Sequence, residues 1–246
     1  MTGVQTCALP ICSVVMNRLY SQNDLHLIDE AFDVLKDLDV LHIYYADPAM
    51  LYHAKKHGLL DRMIYRPETL VTNSKDAVWW KNRGIHGVSI SPLLTMEEVI
   101  EMGNCNCNPE VTVHGHMIMS VSRRKLLEAY MLHNEYDVKV DERHDLRIQE
   151  LKRDGMMPIY ENKYGTIIYT DFVQESFGAI DSFKETKVSR ILVNTVFMND
   201  EESIETVKAY RAILDGENAM GIEESYRKRF NEMEMSSGYY GQKTIL

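Results

Sequence analysis

The chain has few cysteines and no long apolar run. Four cysteines among 246 residues are too few for a disulfide scaffold, so the expected location is the cytoplasm. No apolar stretch approaches the length that crosses a bilayer, and no membrane partner is expected. The net charge of −10 excludes a generally basic surface for nucleic acid. Any contact with nucleic acid would therefore require a local basic patch.

Metal-binding and hydrolytic motifs are also missing from the sequence. Cys105 and Cys107 lie in the run Asn-Cys-Asn-Cys-Asn, but two thiols cannot complete a tetrahedral site. No other Cys or His group stands at the spacing of a zinc finger, so the run is interpreted as a loop and no metal site is predicted. Neither a G-x-S-x-G elbow nor an H-E-x-x-H helix is present.

The first twelve residues, MTGVQTCALPIC, differ from the rest of the chain. They lack the basic start and long apolar core of a signal peptide. They look like a translated sequencing adaptor, so residues 1–12 are predicted to be a non-native leader. Cys7 and Cys12 are accordingly left out of the chemistry.

From residue 13 onward, short strands alternate with helices, which is typical of βαβ units and a parallel sheet. Each unit takes about 25–30 residues, the repeat of a (β/α) barrel or a doubly wound sheet. A closed barrel has eight strands. The sequence therefore predicts an α/β fold: a partial TIM-like (β/α) barrel that lacks its first two βα units. The six predicted parallel strands are Val14–Asn17, Leu41–Ala46, Arg62–Tyr65, Gly87–Ser91, Glu110–His114 and Arg190–Phe197. Asn73 or Ser74 is predicted to cap a helix that runs through Arg83, and Thr95 with Glu98 to form a capping box for a helix that ends at Gly103.

The predicted organisation has four parts after the leader. Barrel units fill residues 13–133, and residues 134–182 hold a charged segment and a small antiparallel β insertion. That insertion is a hairpin over Met157–Thr170. Residues 183–214 form the last barrel strand and helix, and 215–246 form a C-terminal tail that is expected to be loosely held.

The block Glu110–Leu127 organises the predicted site. Alternation places Glu110, Thr112 and His114 on one face of a strand that ends beside Gly115, and parallel α/β folds handle ligands at such carboxyl ends. A helix is predicted to start near Ser122, with Arg123, Arg124 and Lys125 in its first turn. Cations are unfavourable there unless an anion is bound. A solvated basic turn is the alternative.

Polar residues at the other strand ends complete the predicted site. His114, Glu68 and Asp47 are candidates for catalysis, and Arg66, Asn73, Arg123 and Arg124 for substrate binding. Each has a structural alternative. His114 could be a hydrogen-bonded histidine at the barrel mouth, Asp47 a turn residue before Pro48, and Arg66 with Glu68 a surface ion pair. Glu110 begins its strand and is expected to be structural.

Three segments carry a family resemblance: NSKDAVWWKNRGIHGVSISPLLTMEEV, EVTVHGHMIMSVSRRKLL and MPIYENKYGTIIYTDF. They resemble the peptidase U32 family, and most closely its cysteine-poor branch, one of two neighbouring paralogues in Gram-positive bacteria. The likeness runs from about Ser13 through Leu214. It implies a TIM-like barrel with a β-rich insertion before the last strand. It also implies either collagenase-like proteolysis or hydroxylation of the wobble uridine of tRNA, in a pathway that uses prephenate and iron–sulfur chemistry.

The chain departs from the family pattern at its chemical positions. Ile118 and Lys125 stand where the family has cysteines, so no iron–sulfur cofactor is expected in this chain. The family's Lys-Ile-Glu/Asp-Gly motif is replaced by Leu192-Val193-Asn194-Thr195. The resemblance thus implies a non-catalytic component of tRNA wobble-uridine 5-hydroxylation. Its expected partners are a cysteine-bearing U32 paralogue and either tRNA or a small carboxylate such as prephenate. A collagenase-like peptidase is the alternative.

Overall fold

The computed structural model of the protein describes residues 12–152 and 154–242. Nearly all of the predicted leader, residues 1–11, lies outside the described residues. The strands are β1 Val14–Met16, β2 Ile43–Tyr45, β3 Met63–Tyr65, β4 Gly87–Ser89, β5 Pro109–Ser122, β6 Arg147–Gln149, β7 Met156–Asn162, β8 Gly165–Glu175, β9 Arg190–Val193 and β10 Met235–Ser236. The α-helices are α1 Leu25–Leu35, α2 Ala49–His57, α3 Ser74–Lys81, α4 Met96–Asn104, α5 Leu126–His133, α6 Ile180–Lys184, α7 Asp200–Leu214 and α8 Ala219–Arg229.

Six strands form a continuous parallel arc in the order β1, β2, β3, β4, β5, β9. This confirms the α/β class and the six predicted parallel strands. Strands three places apart in a flat sheet would lie ~14 Å from each other. Yet the Tyr44 hydroxyl of β2 donates to the Glu110 carboxylate of β5 at 2.6 Å. The arc is therefore curved, and these two side chains meet on its concave face.

The helices cover the convex face, and their ends follow the predicted sequence signals. The Asn73 side chain accepts from the Asp76 amide at 3.0 Å and caps α3. Thr95 and Glu98 form the predicted capping box at the start of α4. The core between sheet and helices includes a stacked pair, Tyr65 on Trp80, with ring centroids 3.7 Å apart.

The predicted hairpin is confirmed and is larger than expected. β7 and β8 pair antiparallel, β6 adds to β7, and β8 pairs antiparallel with β5 from His114 to Ser122. We call β6, β7, β8 and residues 116–122 of β5 the antiparallel extension. β9 lies along one edge of β5, while β4 and then β8 occupy the other, so β5 belongs to both the arc and the antiparallel extension.

Two predicted boundaries in this region are wrong. The strand predicted to end at His114 continues to Ser122, because β8 supplies hydrogen-bonding partners for its second half. The helix predicted from about Ser122 begins at Leu126 instead. Arg123 and Arg124 therefore lie in a turn before the helix.

The C-terminal tail is held more firmly than predicted, as far as residue 242. β10 pairs with β8, and the Tyr240 hydroxyl lies 3.3 Å from the Gln174 side chain and 3.0 Å from the Ser176 hydroxyl. The Tyr240 carbonyl also accepts the Met96 amide at the start of α4. None of the helices in the described residues has the length and apolar character needed to span a membrane.

Candidate functional site

A β-bulge in β5 decides which way the histidines of the central block point. Pairing with β9 shifts between Thr112, opposite Leu192, and His114, opposite Val193. An extra residue in one strand reverses the alternation of side chains beyond it. Glu110 therefore lies on the concave face. His114 points to the opposite face, which the helices cover, and contacts aromatic rings there. The prediction that Glu110, Thr112 and His114 share a face is wrong for His114.

Gly115 and Asn194 hold the bulge in place. Gly115 has φ +118°, and a Cβ there would collide with the carbonyl oxygen of Asn194 and lie 2.8 Å from its Cβ. The Asn194 backbone N–H donates to the His114 carbonyl at 2.8 Å, and the side-chain Nδ2 of Asn194 donates to the His116 carbonyl at 3.2 Å. Only glycine allows this close approach.

His114 is completely buried among aromatic rings. Its ring packs against Phe177, Tyr210 and Tyr226, and its Nδ1 lies 3.2 Å from the Tyr210 hydroxyl. That hydroxyl gives its proton to the Val113 carbonyl at 2.7 Å, so His114 Nδ1 must be the donor. Burial lowers the pKa of His114 to about 3. His114 is thus a hydrogen-bonded structural histidine, as the alternative interpretation had it. It lies in the core and not at the barrel mouth.

Arg123 and Arg124 do not join His114 in one site. Eight residues of extended strand separate His114 from Ser122, roughly 25 Å, and both arginines are exposed. The anion expected at the start of the following helix is a side chain of the protein itself. The buried Glu161 carboxylate accepts the Leu127 and Glu128 amides at 2.8 and 2.9 Å. Both arginines lie in an exposed turn, and their predicted role toward substrate stays a prediction.

A narrow cleft lies at the carboxyl ends of β3, β4, β9 and the parallel half of β5. We call it the mouth cleft. Strand ends of parallel α/β sheets are the usual position of ligand sites. Its polar lining is Arg66, Glu68, Thr69, Ser89, Thr112, His116 and Asn194.

Glu68 and Arg66 form the predicted pair, but in a largely buried setting. Arg66 Nε lies 3.4 Å from Glu68 Oε1, which also accepts Asn17 Nδ2 at 2.8 Å. Desolvation raises the pKa of Glu68 despite the neighbouring guanidinium. Glu68 also has φ +62°, a left-handed conformation that costs on the order of 1 kcal/mol for a non-glycine residue. Such strain concentrates at functional sites.

His116 is a cleft residue that the sequence did not single out. Its Nδ1 lies 2.7 Å from the Thr170 carbonyl oxygen, which can only accept, so the neutral ring carries its proton on Nδ1. Nε2 is left as an acceptor. Burial lowers the pKa of His116, which keeps the ring neutral. The repeated His-Gly-His was the available signal, since a glycine within a strand often marks a bulge.

Asp47 and Asn73 have structural contacts. The two Asp47 oxygens accept the Tyr20 and Ala49 amides at 2.8 and 2.9 Å, which is the predicted turn role. Asn73 is exposed and caps α3. Their predicted roles toward substrate stay predictions.

The concave face is also polar near the amino-terminal ends of its parallel strands. Besides Tyr44, the buried Glu110 carboxylate accepts Arg190 Nε at 3.3 Å. Arg190 Nη1 lies 3.5 Å from His42 Nε2, and burial with nearby positive charge lowers the pKa of His42 to about 4. These contacts join β2, β5 and β9, consistent with a structural Glu110.

The positions of the two replaced family cysteines lie apart. Ile118 lines the mouth cleft, whereas Lys125 lies beyond the end of β5 and donates to Glu128 at 2.8 Å. Neither supplies a thiolate, so these residues do not fit an iron–sulfur cluster. Within residues 12–152 and 154–242, no three His, Cys, Asp or Glu side chains form a group that could hold a metal ion. That the chain uses no cofactor stays a prediction.

Fold and cleft together define an α/β protein with a polar site at the ends of its parallel strands. The chain matches the model of peptidase family U32 over residues 11–244 and belongs to that family. It is similar to tRNA hydroxylation protein P2 of Bacillus subtilis (strain 168), with 26% identity over 217 residues, 82% of this chain and 67% of the relative. No solved structure matches it.

Proposed function

We propose that the chain is a component of tRNA wobble-uridine 5-hydroxylation. Membership of family U32 and the relative named tRNA hydroxylation protein P2 support this. In the finer form of the proposal, the chain acts in the cytoplasm as the non-catalytic partner of a cysteine-bearing U32 paralogue. The parallel arc would be the six-strand part of a TIM-like barrel.

The observation that carries the non-catalytic role is the composition of the mouth cleft. Ile118 and Asn194, which replace a family cysteine and a family acid, both line it. A thiol and a carboxylate are thus replaced by groups that neither ligate iron nor transfer protons readily. The groups that remain can bind but line only about 20 Å³ of space. The Arg66 guanidinium would therefore hold a head group alone, either a carboxylate of a small acid such as prephenate or a tRNA phosphate.

Complementation of a deletion strain tests the proposal, with wobble nucleosides quantified by mass spectrometry of digested tRNA. Arg66→Gln is expected to reduce hydroxylated uridine at least tenfold at equal protein level. Arg83→Gln is the matched control, because Arg83 is an exposed arginine that lies over the Trp79 ring. Full modification with Arg66→Gln, or in the deletion strain itself, would remove the proposal.

Three further measurements test the contact with tRNA, the partnership with the paralogue and the peptidase alternative. Reversing Arg123 and Arg124 to Glu is expected to lower modification if the exposed turn contacts tRNA phosphates. Co-purification with the paralogue is expected if the chain is a non-catalytic partner. Turnover of gelatin by the purified chain alone would instead favour the peptidase alternative.

A further inference from the structure

A second cavity shares His116 and Asn194 with the mouth cleft. It has a volume of about 200 Å³ and opens to solvent. We call it the side cavity. It is formed by β8, the loop after β9, the first turn of α7 and the segment before β10. This is smaller than the ~300–1,000 Å³ of pockets for drug-sized ligands, so only a small head group with a short stem would fit. The lining used below is His116, Phe197, Met198, Glu202, Glu232 and Met233.

The polar groups of the side cavity are acceptors. His116 Nε2 is an acceptor because Nδ1 holds the proton for Thr170. Glu202 and Glu232 are acceptors when ionised, and one Glu202 oxygen, Oε2, already accepts the Asn199 backbone amide at 2.8 Å in the cap of α7. Among the residues that the structure describes, no lysine or arginine forms an ion pair with either glutamate. The Asn194 side chain is already used, donating to the His116 carbonyl and accepting the Val196 amide.

The remaining walls are apolar and aromatic. The Phe197 ring stands perpendicular to the His116 ring with centroids 5.5 Å apart, and Met198 and Met233 add thioethers. Phe197 already attracts a cation, since the Arg147 guanidinium lies 5.6 Å from its centroid. That guanidinium donates to the His144 and Leu146 carbonyls and is not part of the lining.

We propose that the side cavity binds an organic cation: an ammonium or guanidinium head on a short apolar stem. The head would donate to His116 Nε2 and the glutamate carboxylates, and the stem would lie against Phe197 and the methionines. Anions would be repelled, in contrast to the mouth cleft with its Arg66. The inference does not depend on a role in tRNA hydroxylation.

Isothermal titration of the full chain at pH 7.5 tests the proposal. The probes are n-butylguanidinium, a free cation, and acetyl-Gly-Arg-Gly-amide, a cation carried by a peptide. Butyrate is the anionic control. At least one cation is expected to bind with a Kd of about 1 mM or tighter, and butyrate is expected not to bind. Binding of only the free cation identifies a metabolite as the source, and binding of only the peptide identifies a protein side chain.

Glu232→Gln locates the binding. Glu232 is exposed and lies outside the ion pairs of the described residues, so the variant should fold, and binding is expected to weaken about fivefold or more. Glu234→Gln is the matched control, an exposed glutamate outside the cavity lining, and should leave the affinity unchanged. The proposal is overturned if neither cation binds at ~20 mM, if butyrate binds equally well, or if both variants weaken binding to the same extent.

Discussion

Replacing Gly115 with alanine would test the bulge that aims His114 into the core and His116 into the cleft. A residue with φ +118° is nearly restricted to glycine, and forcing another residue into such a region costs ~1–3 kcal/mol. The new methyl would also collide with the Asn194 carbonyl, and overpacking of a rigid contact costs ~1–3 kcal/mol more. Because Asn194 is itself tied to His114 and His116, neither side can move away without losing hydrogen bonds.

The expected loss in the free energy of unfolding is therefore ~2–6 kcal/mol, a large part of the ~5–15 kcal/mol typical of a folded protein. Urea unfolding monitored by circular dichroism would measure it. A loss of ~3 kcal/mol would lower Tm by about 6–12 °C in a chain of this size.

Gly221→Ala is the control for this experiment. Gly221 lies in α8 with no positive φ, and a methyl added there would have no neighbour within 4 Å, so alanine should stabilise the helix by up to ~1 kcal/mol. If Gly115→Ala stays within ~1 kcal/mol of the wild type, the bulge does not have the geometry described.

Three further predictions concern titratable side chains that are buried or paired. His114 has a pKa of about 3 when folded against an ordinary value of 6.5, so it contributes stability above pH 6.5 that is lost as the pH falls toward 3. His114→Phe should make the free energy of unfolding less dependent on pH over that range, measured by urea unfolding at pH 7, 5.5 and 4.5. Glu161→Gln should lower the free energy of unfolding by ~1–3 kcal/mol, because the glutamine side chain has only one oxygen and cannot accept from both backbone N–H groups at the start of α5. It should also speed hydrogen exchange at Leu127 and Glu128. Asp29 accepts from His53 and His57 at 2.8 Å each, which holds the pKa of its carboxyl well below the usual range. Asp29→Asn should lower Tm at pH 7, with the difference shrinking as the pH falls below the ordinary carboxyl pKa of about 4.

Each of these has an outcome that contradicts it. An unchanged pH dependence in His114→Phe would mean that the imidazole is accessible to protons in the folded state. Unchanged exchange in Glu161→Gln would mean that the carboxylate does not cap α5. A Tm difference for Asp29→Asn that does not shrink between pH 5 and pH 2 would show that the charge of Asp29 is not what matters.

Local signals predicted most of the fold. The Asn73 cap, the Thr95–Glu98 capping box and the hairpin before Thr170 each depend on residues close in the chain, and all three are confirmed. The path of β5 depends on distant residues. Its bulge is matched to Asn194, about 80 positions away, and its second half to β8. Alternation alone assumes unbroken pairing and so placed His114 on the wrong face.

The same distinction between local and distant signals applies to the candidate site. Arg66 and Glu68 directly follow a strand, and strand-end reasoning correctly placed them together. His116 and Asn194 were missed because a bulge and a crossover bring them to the cleft. The position of Arg123 and Arg124 before the helix was not predicted, because nothing near them in sequence shows that Glu161 occupies the helix start.

The double membership of β5 has a consequence for how this protein could be re-engineered. One uninterrupted backbone crosses from the curved parallel layer into the hairpin region, turning at Gly115. A graft that exchanged only residues 134–182 with a homologue would leave half of a strand facing a foreign neighbour. The transferable unit therefore includes the segment from Gly115 onward, and a chimera with its junction there should express as a soluble product where one with its junction at residue 134 does not.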